Sequence, residues 1–248
     1  MERLRTVGAQ ALSLALLLAA WEGAVRAGLA DPLFVPAPSA VAAAFLGIGP
    51  EALRLFWETL AKTLLAYGLA VGLGVGCGIV VGSLRHLYDV VNPYLVAGYA
   101  IPKILLLPWI VLIFGIGVTP AVVYATLHGF FPIALLVIGG VRDVDRTPIL
   151  VARSMGATTW QVYRKVILPA VLPSVLAGMR LGIIFCLLGV LLVEMFAGVR
   201  GMGHLLSGLA NAFQAAELFA ATALVSALSI GIVVGLEVLN RRLGRWRG

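Results

Sequence analysis

Charge is scarce in this chain. Asp, Glu, Lys and Arg make up 12% of its 248 residues, against 61% apolar residues and a mean hydropathy of +1.06. A soluble globular domain carries about a quarter charged residues, so a water-soluble fold is excluded and the chain is an integral membrane protein. Cysteine is nearly missing: Cys77 and Cys186 each lie inside an apolar run, which argues for packing and against a disulfide. The three histidines, His86, His128 and His204, fall in three separate regions and form no metal-ligand cluster. No GxxxxGK loop followed by Ser or Thr occurs, so the chain does not itself cradle a nucleotide phosphate. No serine, histidine and carboxylate form a catalytic constellation either. The net charge of +7 reflects membrane topology and does not call for nucleic acid.

What is present is a series of long apolar runs. Six are long enough to cross a hydrocarbon core of about 30 Å, which takes about 20 helical residues. They lie near 7–29, 58–83, 93–115, 118–140, 170–195 and 217–239. The expected fold is all-α, a polytopic bundle of about six spans forming one transmembrane domain over 1–248. The first run has the length of a signal peptide, with a small-residue cleavage site of sorts, but Trp21 and Glu22 fit such a site poorly and a retained span is expected.

With the N-terminus inside, the inner segments carry Arg3, Arg5, Arg85, Arg142, Arg146, Arg153, Arg164, Lys165, Arg241, Arg242, Arg245 and Arg247. The outer segments carry only Arg26, Arg54 and Arg200. Twelve against three is a strong positive-inside bias. Both termini and the 141–169 segment are therefore expected in the cytosol.

On the outer side, "DPLFVPAPSA" reads as an extended link, and Pro50 fits the first turn of a new helix. Phe56, Trp57 and Tyr67 mark headgroup depth or simply face lipid. The second span carries two glycine rows at four-residue spacing, Gly68/Gly72/Gly76 and Gly74/Gly78/Gly82, as in a helix gripped on both sides. Pro102, Pro108 and Pro132 predict kinks in the third and fourth spans. The outer stretch "GVRGMGHLLSGLANAF" fits part of a periplasmic gate and binding-protein dock, or a plain re-entrant turn.

The most polar interior piece is "VARSMGATTWQVYRKVILP", residues 151–169. Pro148 permits a helix over 149–155, Gly156 suits a left-handed cap, and Thr158 or Thr159 can cap a second helix. In that second helix Trp160, Tyr163, Val166 and Ile167 are expected on one face, with Gln161, Arg164 and Lys165 opposite. Pro169 and Pro173 then start the fifth span. Such a helix lies on a membrane surface or docks in another protein's groove, and periodicity does not choose between them.

Ionisable residues inside spans are costly and face protein or a wet cavity. Arg180 and Glu194 lie in the fifth span about four turns apart, too far to pair with each other. Lys103 follows Pro102 in the third span and His128 lies in the fourth. Each is a candidate for lining a substrate pathway, and equally for snorkelling or pairing between helices.

The 150–169 segment resembles the EAA loop of ABC-importer permeases, in which Glu-Ala-Ala is followed after three residues by Gly and after nine more by Ile-x-Leu-Pro. Here the pattern falls on Leu150-Val151-Ala152, Gly156 and Val166-Ile167-Leu168-Pro169, with Leu150 in place of the glutamate. "FVPAPSAV", "YAIPKILLLPWIVLIFGIG", "GFFPIALLVIGGVRDVD", "LPAVLPSVLAGMRLG" and "VEMFAGVRGMGHLL" are similar to the nitrate/sulfonate/taurine group of these permeases. The resemblance implies a MetI-like fold in the bacterial inner membrane, with a second permease copy paired around a pathway. It implies a cytosolic ABC ATPase dimer carrying ATP and Mg2+, a periplasmic or lipid-anchored solute-binding protein, and contact with membrane lipid. It assigns ATPase coupling to the helix Leu150-Val151-Ala152-Arg153-Ser154-Met155, the turn Gly156-Ala157 and the segment Thr158-Thr159-Trp160. An ion-gradient-driven secondary transporter is the rival class. It often shows internal repeats, and none is visible between the halves here.

Overall fold

The computed structural model describes residues 2–243. Ten α-helices and no strand occur among the described residues: α1 Glu2–Arg26, α2 Pro38–Ser83, α3 Arg85–Ala100, α4 Leu107–Phe114, α5 Val118–Arg142, α6 Arg146–Ser154, α7 Thr159–Val162, α8 Leu168–Ala197, α9 Met202–Asn211 and α10 Ala215–Leu243. Five helical stretches are long and apolar enough to span a membrane, and the bent α3–α4 pair makes a sixth. Arg245 and Arg247, counted among the inner charges, lie outside the described residues.

The middle of the bundle is α5, flanked by α2 and α8. Ala66 and Ala70 of α2, Ala125, Ile133 and Val137 of α5, and Cys186 and Val190 of α8 form one buried apolar cluster. Cys186 packs there as a free thiol, and Cys77 is also unbridged. Only one of the two glycine rows is gripped. A methyl group on Gly74, Gly78 or Gly82 would collide with Ile133, Val137 or Val141 of α5, whereas one on Gly68, Gly72 or Gly76 would meet no neighbouring atom of the described residues within 4 Å. The expectation of a helix held on both sides is corrected to one side within this chain.

Three helix boundaries also differ from expectation. Pro50 does not begin a helix: α2 starts at Pro38 and runs through it for 46 residues. The stretch before it, "SAVAAAFLGIG", is rich in the strongest helix former, and an interior proline removes a single backbone hydrogen bond. Only residues 27–37 remain as the link. Glu22 secures its two ends, accepting from the Ser39 amide at 3.0 Å and the Ser39 hydroxyl at 2.7 Å while pairing with Arg26.

The third span is broken rather than kinked. Ile101, held extended by the following proline at φ −62° and ψ 129°, ends α3, and a 3-10 turn at Lys103–Leu106 leads into α4. The two halves meet at 88°. The fifth span does not start at Pro169 or Pro173: helix continues from Thr159 to Ala197, 39 residues, through a π-helical turn at Tyr163–Ile167. There Leu168 donates to the Tyr163 carbonyl, and the wider turn passes the proline that follows without ending the helix. The first span ends at Arg26, and the sixth runs Ala215–Leu243.

Candidate functional site

The elbow between α5 and α8 is built by local hydrogen bonds. Asp145, not Pro148, starts α6: its carboxylate accepts from the Thr147 amide at 3.0 Å and hydroxyl at 3.1 Å. The amide bond to Thr147 and then the hydroxyl hold its carboxyl below the usual carboxylate range. At the other end Gly156 takes φ +83°. Its amide donates to the Arg153 carbonyl at 2.9 Å, and the Ala157 amide donates to the Ala152 carbonyl at 3.0 Å. These are the paired bonds of a Schellman stop. Thr158 then caps α7: its hydroxyl accepts from the Gln161 amide while the Gln161 side chain accepts from the Thr158 amide. The chain turns between two short helices with every cap occupied.

The predicted face of the second helix is redistributed. Val162 is its buried residue, Val166 and Ile167 are half-buried, and Trp160 stands 71% exposed on the open side. Leu150 at 62%, Val151 at 54% and Met155 at 82% are exposed as well. Four apolar side chains of the capped elbow are therefore exposed. An exposed cluster of this kind marks an interaction surface. The Ser154 hydroxyl is turned back onto the Leu150 carbonyl at 3.0 Å.

The charged residues of the spans go to separate places. Arg180 pairs with Glu237 of α10 at 2.6 Å. Glu194 is 1% exposed and pairs with Lys62 of α2 at 2.8 Å. Lys103 stands at the break in the third span. Its ammonium donates to the Tyr99 carbonyl at 3.0 Å and lies 4.8 Å from the Tyr99 ring and 5.1 Å from the Phe131 ring, both attractive to a cation. No carboxylate pairs with it among the described residues. His128 packs between Tyr124 and Phe185, with ring centroids at 4.9 Å and 6.2 Å. Lys103 thus stands at Phe131 and His128 against Tyr124 and Phe185, and among the described residues no hydrogen bond or ion pair joins either to Arg180 or Glu194.

Two features escaped the sequence reading. Lys62 was not singled out, although Glu58, Thr59 and Lys62 share one face of α2 at helical spacing. The stretch after α8 forms a ten-residue helix, α9, where a turn also fitted. Its glycine content hid that helix.

The model for "Binding-protein-dependent transport system inner membrane component" matches residues 70–247. The taurine transport system permease protein TauC of Escherichia coli is 32% identical over 243 residues, covering 95% of this chain and 88% of that protein. The riboflavin transport system permease protein RibX of Chloroflexus aurantiacus is 34% identical over 241 residues, with the same coverage of 95% and 88%. Among solved structures, a chain of the inward-facing MetNI methionine ABC transporter superposes with a TM-score of 0.65 at 25% identity. The match covers 78% of this chain and 94% of that one. A six-span helical bundle, an elbow at the family's motif position and a match over most of its length agree: the chain belongs to the binding-protein-dependent transport system inner membrane components, the MetI-like permease subunits of ABC importers.

Proposed function

We propose that two copies of this chain pair to form the translocation pathway of an ATP-driven importer in a bacterial inner membrane, with both termini cytosolic. A periplasmic or lipid-anchored binding protein delivers the solute, and a cytosolic ATPase dimer supplies the energy. ATP and Mg2+ belong to that partner. In this reading the solute is small and anionic or polar, of the size of taurine, an aliphatic sulfonate, an aromatic acid or a vitamin precursor. Lys103 and His128 contribute to the pathway wall at the broken span, while Arg180 and Glu194 serve it from within the protein through their partners.

The observation that carries this reading is the exposed apolar set Leu150, Val151, Met155 and Trp160 on a fully capped elbow. Burial of such side chains yields about 1.5–3 kcal/mol each, enough for a shape-specific seat in a groove. The basic residues of the second helix, Arg164 and Lys165, are also exposed, which fits a cytosolic location. The test is co-purification with the cognate ATPase. Wild type retains it through size exclusion, and Met155→Asp with Trp160→Asp loses it while still reaching the membrane. Undiminished association of the double variant contradicts the proposal.

A further inference from the structure

One turn of α2 holds the start of α9 by every polar group available there. Lys62 donates to the Glu194 carboxylate at 2.8 Å and to the Arg200 carbonyl at 3.1 Å. Thr59 donates its hydroxyl to Glu194, with contacts of 2.8 Å and 3.0 Å to the two oxygens, and accepts from the Met202 amide at 2.9 Å. Glu58 pairs with the Arg200 guanidinium at 3.0 Å. Glu194, at the end of α8, also accepts from the Gly203 amide at 3.0 Å. Residues 200–203 are thus fastened at a side chain, a carbonyl and two amides.

Glycine makes this approach possible. Gly201 takes φ +124°, and a methyl group there would fall on the Glu194 carboxyl group. The amides at the start of α9, the positive end of its dipole, then rest on a carboxylate that is otherwise sealed from solvent. Lys62 supplies the counter-charge that such burial demands. A cavity of about 150 Å3, lined among others by Glu58, Lys62 and Glu194, adjoins the pair.

The other end of this arrangement is the elbow. Helix is continuous from Thr159 to Ala197, about 58 Å at the α-helical rise. The helix that leaves the elbow therefore carries Glu194 near its far end.

We propose that Glu194, Thr59 and Lys62 are positioning residues that lock the segment 198–203 and α9 to α2 and α8 as one body. This lock relays a docked, loaded binding protein to the elbow through α8. The proposal rests on the importer reading above. Its chemistry is the closed set of donors around one buried carboxylate, and no solute is bound by it. A lock of this kind moves coupling between distant faces without touching the hydrolytic centre.

The test uses the complete importer in proteoliposomes, with its ATPase and binding protein, measuring ATP hydrolysis without and with loaded binding protein, together with uptake. Thr59→Val removes the hydroxyl at nearly constant volume, and Thr59→Ser restores it. Lys62→Met with Glu194→Gln removes both charges together, so neither is left buried alone. Thr59→Val and the double variant should keep basal hydrolysis while stimulation by loaded binding protein falls about tenfold, within the usual range of coupling energies. Thr59→Ser should keep stimulation. A role in stability alone predicts equal losses of basal and stimulated hydrolysis, tracking the amount of assembled complex. That outcome overturns the proposal, as does an unchanged ratio of stimulated to basal rate in Thr59→Val. If the double variant fails to assemble, the Thr59→Val and Thr59→Ser pair decides alone. Failure of wild type to respond to any binding protein would instead contradict the importer reading itself.

Discussion

Gly78 of α2 and Val137 of α5 are in such close register that a methyl group on Gly78 would lie 2.5 Å from the Val137 Cβ. Only a residue without a side chain lets the two backbones approach this far, and the same contact recurs one turn away on either side. On the other row, a methyl group on Gly72 would meet no neighbouring atom of the described residues within 4 Å. Gly78→Val should therefore cost about 1–3 kcal/mol through overpacking, and Gly72→Val should leave the fold of the single chain intact. Thermal unfolding in detergent distinguishes them: a clear fall in Tm is expected for the first and none for the second.

The spans and the elbow were legible because they depend on local composition. Apolar runs, the Gly156 stop and the Thr158 cap each follow from residues within a few positions of one another. What was not legible depends on distance in sequence. Lys62 and Glu194 are 132 residues apart, and nothing near either names the other. Choosing between two glycine rows required knowing which face α5 occupies. Pro50 and Pro169 suggest helix starts, yet both lie in continuous helix: strong helix formers offset the lost hydrogen bond in one case, and a π-helical turn accommodates the proline in the other. Pro102 ended its helix as well as bending it, since Ile101 before it is driven into extended backbone.

Leu150 occupies the motif's glutamate position and its side chain stands 62% exposed. Its side chain adds apolar area to the set formed by Val151, Met155 and Trp160. Leu150→Glu should weaken binding of the ATPase by about tenfold, the low end of the loss of one apolar contact, since glutamate keeps part of the aliphatic stem. Titration of the purified pair checks this; complete loss of binding would show that leucine is indispensable in the seat.

Asp145 gives the elbow a pH dependence with a definite sign. Its carboxyl is held below the ordinary value in the folded state. The cap's contribution is therefore fully present above the ordinary carboxylate pKa and fades as pH falls through the lowered one. Asp145→Asn keeps an N-cap acceptor and removes this dependence, while Asp145→Ala loses the cap at every pH. Hydrogen exchange across Arg146–Ser154 should quicken in Asp145→Ala, and at low pH should quicken, relative to intrinsic rates, in wild type but not in Asp145→Asn.

Orientation is tested by two reporter fusions. A reporter inserted after Pro148 should report cytosol, and one within residues 31–50 should report periplasm, as the distribution of Arg and Lys requires. Opposite labelling at either point would overturn the assignment of the elbow to the ATPase side.

The central claim is that the elbow works as a shaped lever whose angle is set at Gly156. A β-branched side chain does not tolerate φ +83°, so Gly156→Val changes the angle between α6 and α7 although a side chain there meets no neighbouring atom. Arg164→Ala removes an exposed positive charge and leaves the angle alone. The most direct measurement compares these two variants with wild type in proteoliposomes holding ATPase and binding protein, reading uptake and substrate-stimulated hydrolysis together. Gly156→Val is expected to reach the membrane but lose uptake and stimulation, while Arg164→Ala stays close to wild type. Normal uptake with normal stimulation in Gly156→Val, or a larger defect in Arg164→Ala, would contradict it.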